Sequence, residues 1–126
     1  MGSRVVHFEI PFDDAERAHN FYRDVFDWQI QTMPEMDYTM VATGPTTEEG
    51  MPVEPGYIGG GMMPRQAEIA TPVITIDVAD MDEALASMAE HGGQVVGEKM
   101  PVGDMGVAAY FHDSEGNLMG LWQSVG

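Results

Sequence analysis

Two side chains with acid–base chemistry lie two residues apart near the start of the chain: His7 and Glu9, in Arg4-Val5-Val6-His7-Phe8-Glu9-Ile10-Pro11. An imidazole beside a carboxylate can serve as general base with an orienting partner, or can hold a ligand's polar end by hydrogen bonds. The stretch is rich in β-branched and aromatic residues and closes on Pro, so it reads as a strand. Alternate side chains of a strand share a face. Val5, His7 and Glu9 therefore point one way, and Val6, Phe8 and Ile10 the other. The apolar face suits a helix packed behind it; the His–Glu face is either solvated or lines a site. His112 ends a later strand and reads as a surface residue, while His19 and His91 fall on the polar side or end of helices and read as solvated. The chain has no Cys, which removes thiolate chemistry and disulfides. Gly59-Gly60-Gly61 lacks the Lys-Ser/Thr of a phosphate loop, and no nucleophile elbow is present.

The elements that must position this pair can be read in order. Asp13 to Trp28 opens with acidic residues, and Ala18, Phe21, Tyr22, Val25 and Phe26 follow at i, i+3, i+4, i+7 and i+8 as one apolar stripe, which predicts a helix. Strands are expected at Trp28–Gln31, Tyr38–Val41 and Gly56–Pro64, with a Pro- and Glu-rich loop from Gly44 to Gly56. A second round follows: a strand over Pro72–Val78, a helix over Asp80–His91 stopped by Gly92-Gly93, and strands at Gln94–Val96, Val107–His112 and Leu118–Trp122. Sliding the chain on itself by 66 residues lays Ile10 on Ile76, Asp14 on Asp80, Ala18 on Ala84 and Ile30 on Val96 without a gap. Such internal repetition outranks local readings. The expected architecture is α+β: one domain over 1–126 made of two βαβββ modules, about 4–64 and 71–124, joined by a connector at 65–70, with the strands curling around a central cleft and the helices outside.

Asp and Glu number 21 against five Lys and Arg, a net charge of −16. Phosphate contacts need a basic footprint, so nucleic acid is not an expected partner. Such self-repulsion is screened at ~1 M salt, where the Debye length is ~3 Å; an acidic surface with one Lys, Lys99, is expected of a halophilic protein in a high-salt cytoplasm. No apolar run reaches the ~20 residues of a membrane span, and with Met1-Gly2-Ser3-Arg4 running straight into a strand no signal peptide is expected. The expected compartment is the cytoplasm.

Three stretches carry a family likeness: His7-Phe8-Glu9-Ile10-Pro11 leading to Arg17-Ala18 and Phe21-Tyr22; Glu90-His91-Gly92-Gly93; and Asp113-Ser114-Glu115-Gly116-Asn117 leading into Leu121-Trp122. Together they resemble the vicinal oxygen chelate superfamily of glyoxalases, bleomycin-resistance proteins and extradiol dioxygenases. The closing Met119-Gly120-Leu121-Trp122-Gln123 is similar to its glyoxalase-like branch. The resemblance implies the glyoxalase/bleomycin-resistance fold, a homodimer and a divalent metal held from the first and last strands of each module. His7 matches the first ligand position. Its mate at the 66-residue offset is Val73, and aligning the final strands on Gly56 and Gly116 puts the other positions at Gly60 and Gly120. His7 is the only retained ligand position, short of the roughly three protein ligands a catalytic site needs, so no cofactor is expected and a divalent metal stays only as an alternative, recruited by His7 and Glu9 with His112 or another carboxylate.

The expected function is a small-molecule-binding protein of this superfamily with a degenerate metal site. It would hold an organic ligand, aromatic or apolar, between the modules, with His7 and Glu9 as catalytic or polar-contact residues and Thr75, Tyr38, Met40, Tyr57, Met62 and Trp122 as ligand-binding wall; large apolar side chains with few polar groups are what such pockets show. Thr75 repeats Glu9 and is expected to face it. The alternative is a lyase, isomerase or dioxygenase of the superfamily using a rebuilt metal site or His7 and Glu9 as an acid–base pair.

Overall fold

The computed structural model describes residues 2–33, 38–48 and 51–125. Among them are eight strands and two helices, in the order β1 (Val5–Phe12), α1 (Ala15–Phe26), β2 (Gln29–Met33), β3 (Tyr38–Ala42), β4 (Gly59–Pro64), β5 (Val73–Asp77), α2 (Met81–Glu90), β6 (Gln94–Val102), β7 (Gly106–His112) and β8 (Leu118–Ser124). The fold is α+β. The chain forms two compact units, one of His7–Pro72 and one of Val73–Gly126 together with Met1–Val6. The first residues join the second unit through their backbone, as the Asp77 N–H donates to the Arg4 carbonyl at 2.8 Å.

The two units repeat one topology. In the first, the strands lie in the order β2-β3-β4-β1, with β1 and β4 parallel and the other pairs antiparallel. The second runs β5-β8-β7-β6, again with one parallel pair, β5 with β8. The repetition reaches single residues. Asp14 and Asp80, 66 apart, are both N-caps, and each accepts a backbone N–H three residues on, from Arg17 and Glu83, at 3.0 Å. Each cap satisfies one of the four orphan donors at a helix start. α1 ends on Asp27 in the left-handed conformation (φ 59°), and α2 ends at His91-Gly92, with Gly92 at φ 96°.

β6 runs to Val102, well past the expected Val96. Its pairing with β7 shifts register between Val96 and Met100, and Gly97 there has φ 71°. A bulge of this kind lets a strand with no continuous alternating pattern stay paired. The core of the second unit gathers Met81, Ala109, Phe111 and Leu121 with Ile76, Leu85, Met88 and Met119, the apolar face of α2 against the sheet. In the first unit Val41 and Met62 are buried, and Trp28 stacks on Tyr22 (4.9 Å between centroids) and tilts against Phe8 (5.7 Å). α1 itself contributes no fully buried residue, although its stripe predicts a helix pressed home along its whole apolar face. Phe21, Val25 and Phe26 are each more than half exposed. The stripe is wider than the sheet face beneath it: Ala18 and Tyr22 are half-buried, and the other three stay outside.

Candidate functional site

β1 presents His7 and Glu9 on one face of the first unit's sheet, because the strand's alternation puts Phe8 and Ile10 on the other. Its parallel neighbour β4 pairs His7 with Gly59 and Glu9 with Gly61. Residues opposite each other in register share a face, so β4 offers no side chain beside either one. The next strand, β3, pairs Met40 with Gly61. Tyr38, two residues before Met40, is therefore also on the His7 face, and its side chain crosses the bare glycine track. A Cβ at Gly61 would overlap the Tyr38 hydroxyl.

The crossing ends in a three-group cluster. Tyr38 Oη lies 2.8 Å from His7 Nε2 and donates to Glu9 Oε2 at 3.0 Å. The rings of His7 and Tyr38 are nearly parallel, 17° apart. A phenol has one proton. With that proton given to Glu9, the hydroxyl can only accept from His7, so the imidazole carries its proton on Nε2 and leaves Nδ1 as an acceptor. Burial lowers the His7 pKa below its usual 6.5, which favours this neutral ring. Glu9 is 9% exposed, and a carboxylate so placed is costly unless hydrogen bonds reach it.

The same face continues outward over β3 and β2. Gln31 pairs with Met40 and Gln29 with Ala42. Together with Thr46, Thr47 and Glu48 of the following loop they border a depression of about 330 Å³. Ile30 and Val41 complete its lining, so the wall is mixed: apolar groups beside two primary amides, two hydroxyls and a carboxylate.

The remaining expected residues fall in several places. Met62 is fully buried on the opposite face, paired with Ile10 and Thr39, and is core rather than wall. Tyr57 is spent in its own loop: its hydroxyl donates to the Pro45 carbonyl and accepts the Val53 N–H (3.3 Å), and its ring fills the space beside Gly44. Thr75 and Trp122 share one face of the second unit, since Thr75 pairs with Gly120 and Asp77 with Trp122; the Trp122 indole N–H donates to Ser124 Oγ at 3.0 Å. His112, at the end of β7 opposite Leu118, lies on that same face and is half-buried. His91 is exposed, its Nδ1 2.7 Å from the Ser87 carbonyl. His19 departs from the expectation of a solvated ring: it lies 3.2 Å from Thr39 Oγ1 and meets Phe12 edge-on, and burial, with the Arg23 charge second, lowers its pKa. Of the expected wall, then, the structure brings Tyr38 and Met40 to the His7–Glu9 face. The role of Tyr38 as the group joining His7 to Glu9 was not read from the sequence; the available signal was the side-chain-free Gly59-Gly60-Gly61 beside the His–Glu strand.

Residues 4–44 match the family model described as bleomycin resistance protein-like N-terminal. A glyoxylase-like domain-containing protein of Didymella fabae is 29% identical over 122 residues, covering 93% of this chain and 91% of its own. Among solved structures, the hypothetical protein BH1468 from Bacillus halodurans C-125 superposes with a TM-score of 0.67 at 14% identity, covering 100% of this chain and 97% of its own. A Streptomyces coelicolor methylmalonyl-CoA epimerase in complex with 2-nitronate-propionyl-CoA gives 0.67 at 19% identity, with 98% and 99% covered. The chain is thus similar to bleomycin-resistance-like and glyoxylase-like proteins. It has the glyoxalase/bleomycin-resistance fold.

The superfamily's divalent metal can be tested against the residues present. Val73 is buried and carries no donor. Gly60 pairs with Phe8, not with His7 or Glu9, and a Cβ there would overlap the Phe8 ring; counting from Gly56 had selected the wrong face. At Gly120 a Cβ would sit 2.8 Å from Thr75 Oγ1. His7 Nε2 is held by the Tyr38 hydroxyl. Among the described residues, no group of three or more His, Asp or Glu is arranged to hold a metal ion. The donor set does not fit the group. Among the described residues, also, no helix is long and apolar enough to cross a membrane.

Proposed function

We propose that the His7 face of the first unit is a metal-independent binding site for a small organic ligand, neutral or cationic, with its polar end on His7, Tyr38 and Glu9 and its body over Met40. The observation that carries this is the Tyr38 hydroxyl lying between His7 Nε2 and Glu9 Oε2. It engages His7 Nε2 and Glu9 Oε2, two of the atoms a metal would otherwise claim, and leaves His7 Nδ1 as an acceptor.

The charge preference follows from what lines the face. Glu9 and Glu48 are carboxylates there. The unit's arginines are directed elsewhere: Arg65 is bound to Asp13 (2.9 Å) and the Ala70 carbonyl, and Arg17 and Arg23 lie on α1, behind the sheet. With a net charge of −16 around it, an anionic ligand is repelled at low ionic strength. The CoA ester bound by the Streptomyces coelicolor neighbour carries several phosphate charges, so the same ligand is not expected here, and methylmalonyl-CoA should show neither binding nor epimerisation.

The test is native mass spectrometry of the untagged protein to identify a co-purifying molecule, then calorimetric titration of that molecule into wild type, Tyr38→Phe and Glu9→Gln. Hydrogen bonds to charged groups are worth ~1.5–3 kcal/mol, so each variant should bind roughly 10- to 100-fold more weakly. Stoichiometric metal in the purified protein, lost in His7→Ala, would overturn the reading. Turnover of a hemithioacetal or catechol that disappears in Glu9→Ala would replace binding with catalysis.

A further inference from the structure

We propose, resting on the reading of the His7 face just given, that the depression beside β2 and β3 is the subsite for the ligand's far end and that it takes a primary ammonium group, with Glu48 as counter-ion. The depression and the His7 cluster lie on one face. Glu9 pairs with Gly61, Gly61 with Met40 and Met40 with Gln31, so these four form a single register row across β1, β4, β3 and β2. Neighbouring strands are ~4.8 Å apart, which puts Gln31 about 14 Å from Glu9. A carboxylate stands at one end of the row, the Met40 thioether, 37% exposed, in the middle and a carboxamide at the other end. A molecule that reaches from end to end is long, with polar termini and an apolar centre.

The far end has a definite chemistry. Gln29, Gln31, Thr46, Thr47 and Glu48 supply its polar groups, and no Lys or Arg lines it. Thr47 Oγ1 is engaged by the Met51 N–H at 3.2 Å. Among the described residues, the side chains of Gln29, Gln31, Thr46 and Glu48 form no hydrogen bond or ion pair within the chain. The one formal charge there is thus an anion without a counter-ion, and every polar side chain around it offers an oxygen. An ammonium has three donors and no acceptor, so it can bind the Glu48 carboxylate and still reach an amide or hydroxyl oxygen, in charge-assisted bonds. A quaternary ammonium has no donor and relies on aromatic faces, and no aromatic side chain lines the depression. A carboxylate or phosphate would meet Glu48 with no cation to offset it. The ligand class is a long-chain primary amine with a hydrogen-bonding group at its other end.

The probes are aminooctanol, octanediol and aminobutanol, the last too short to span the row. They are titrated at physiological salt into protein with isotope-labelled methionine methyl groups, and circular dichroism confirms the fold of each variant. The Met40 signal, assigned by its loss in Met40→Leu, should move with aminooctanol, and that of Met105, 58% exposed in the other unit, should stay. Aminooctanol should bind about tenfold more tightly than octanediol, as a hydrogen bond to a charged group implies, and more tightly than aminobutanol. Glu48→Gln should erase the preference for the amine over the diol. Glu115→Gln, which removes an equal charge from an exposed turn, should keep it. A preference that survives Glu48→Gln, or falls equally in Glu115→Gln, overturns the proposal. Octanediol binding that Tyr38→Phe weakens, with no gain for the amine, overturns the subsite and leaves the His7-face reading standing. Indifference of both long probes to Tyr38→Phe, with the Glu48-dependent gain intact, overturns that reading instead.

Discussion

One hydroxyl proton decides the state of the His7 face. Tyr38 gives it to Glu9, which makes His7 a donor at Nε2, while burial of the ring favours its neutral form. The consequence for stability has a definite sign. Burial lowers the folded His7 pKa below 6.5, so just below that pH the unfolded chain binds more protons than the folded one, and stability falls as the pH falls through that window. Urea unfolding at about pH 7.5 and about pH 5.5 should show a smaller drop for His7→Gln than for wild type; His19, whose pKa is lowered in the same direction, contributes alike to both. Gly61 is the second residue on which the cluster depends. Gly61→Ala would push the Tyr38 hydroxyl off Glu9, at a cost of ~1–3 kcal/mol for disturbing a buried hydrogen-bonded group. In a Tyr38→Ala background the same substitution should cost little, and a double-mutant cycle on unfolding free energies measures the difference.

Among the elements, the helix starts offer a controlled comparison. Asp14 and Asp80 cap α1 and α2 with the same 3.0 Å bond to the third residue on. Asp14→Ala and Asp80→Ala should each lose ~1 kcal/mol in chemical denaturation, and by similar amounts. β4 behaves differently on its two faces. Met62, fully buried between Ile10 and Thr39, should cost ~2–5 kcal/mol when cut to Ala. On the other face the strand's glycines carry nothing, and that emptiness admits Tyr38. The existence of β4 was legible from its composition, but the use of its glycines was not. A glycine run reads equally well as room for a ligand, a strand or a side chain, and only the neighbour across the ladder distinguishes them.

At the scale of the whole molecule, electrostatics should dominate the response to conditions. Two ion pairs are present among the described residues, Arg65–Asp13 at 2.9 Å and Lys99–Asp82 at 2.7 Å, and both are exposed. Such pairs are worth ~0–1 kcal/mol each, so screening them loses little, whereas screening a net charge of −16 removes repulsion across the entire surface. Thermal stability should therefore rise between low and molar salt, which a melting series in KCl would check. The sequence by itself determined the duplication, the α+β class, both helix starts and the shared face of His7 and Glu9, because these follow from periodicity and capping, which act within a few residues. The tertiary structure alone decided that Tyr38 would join His7 to Glu9, that Met62 would be core, that Gly60 would share a face with Phe8, and that three of the five residues of the α1 stripe would stay outside. Each of these depends on which strand lies beside which and in what register, and a shift of one residue in that register would turn every side chain to the other face.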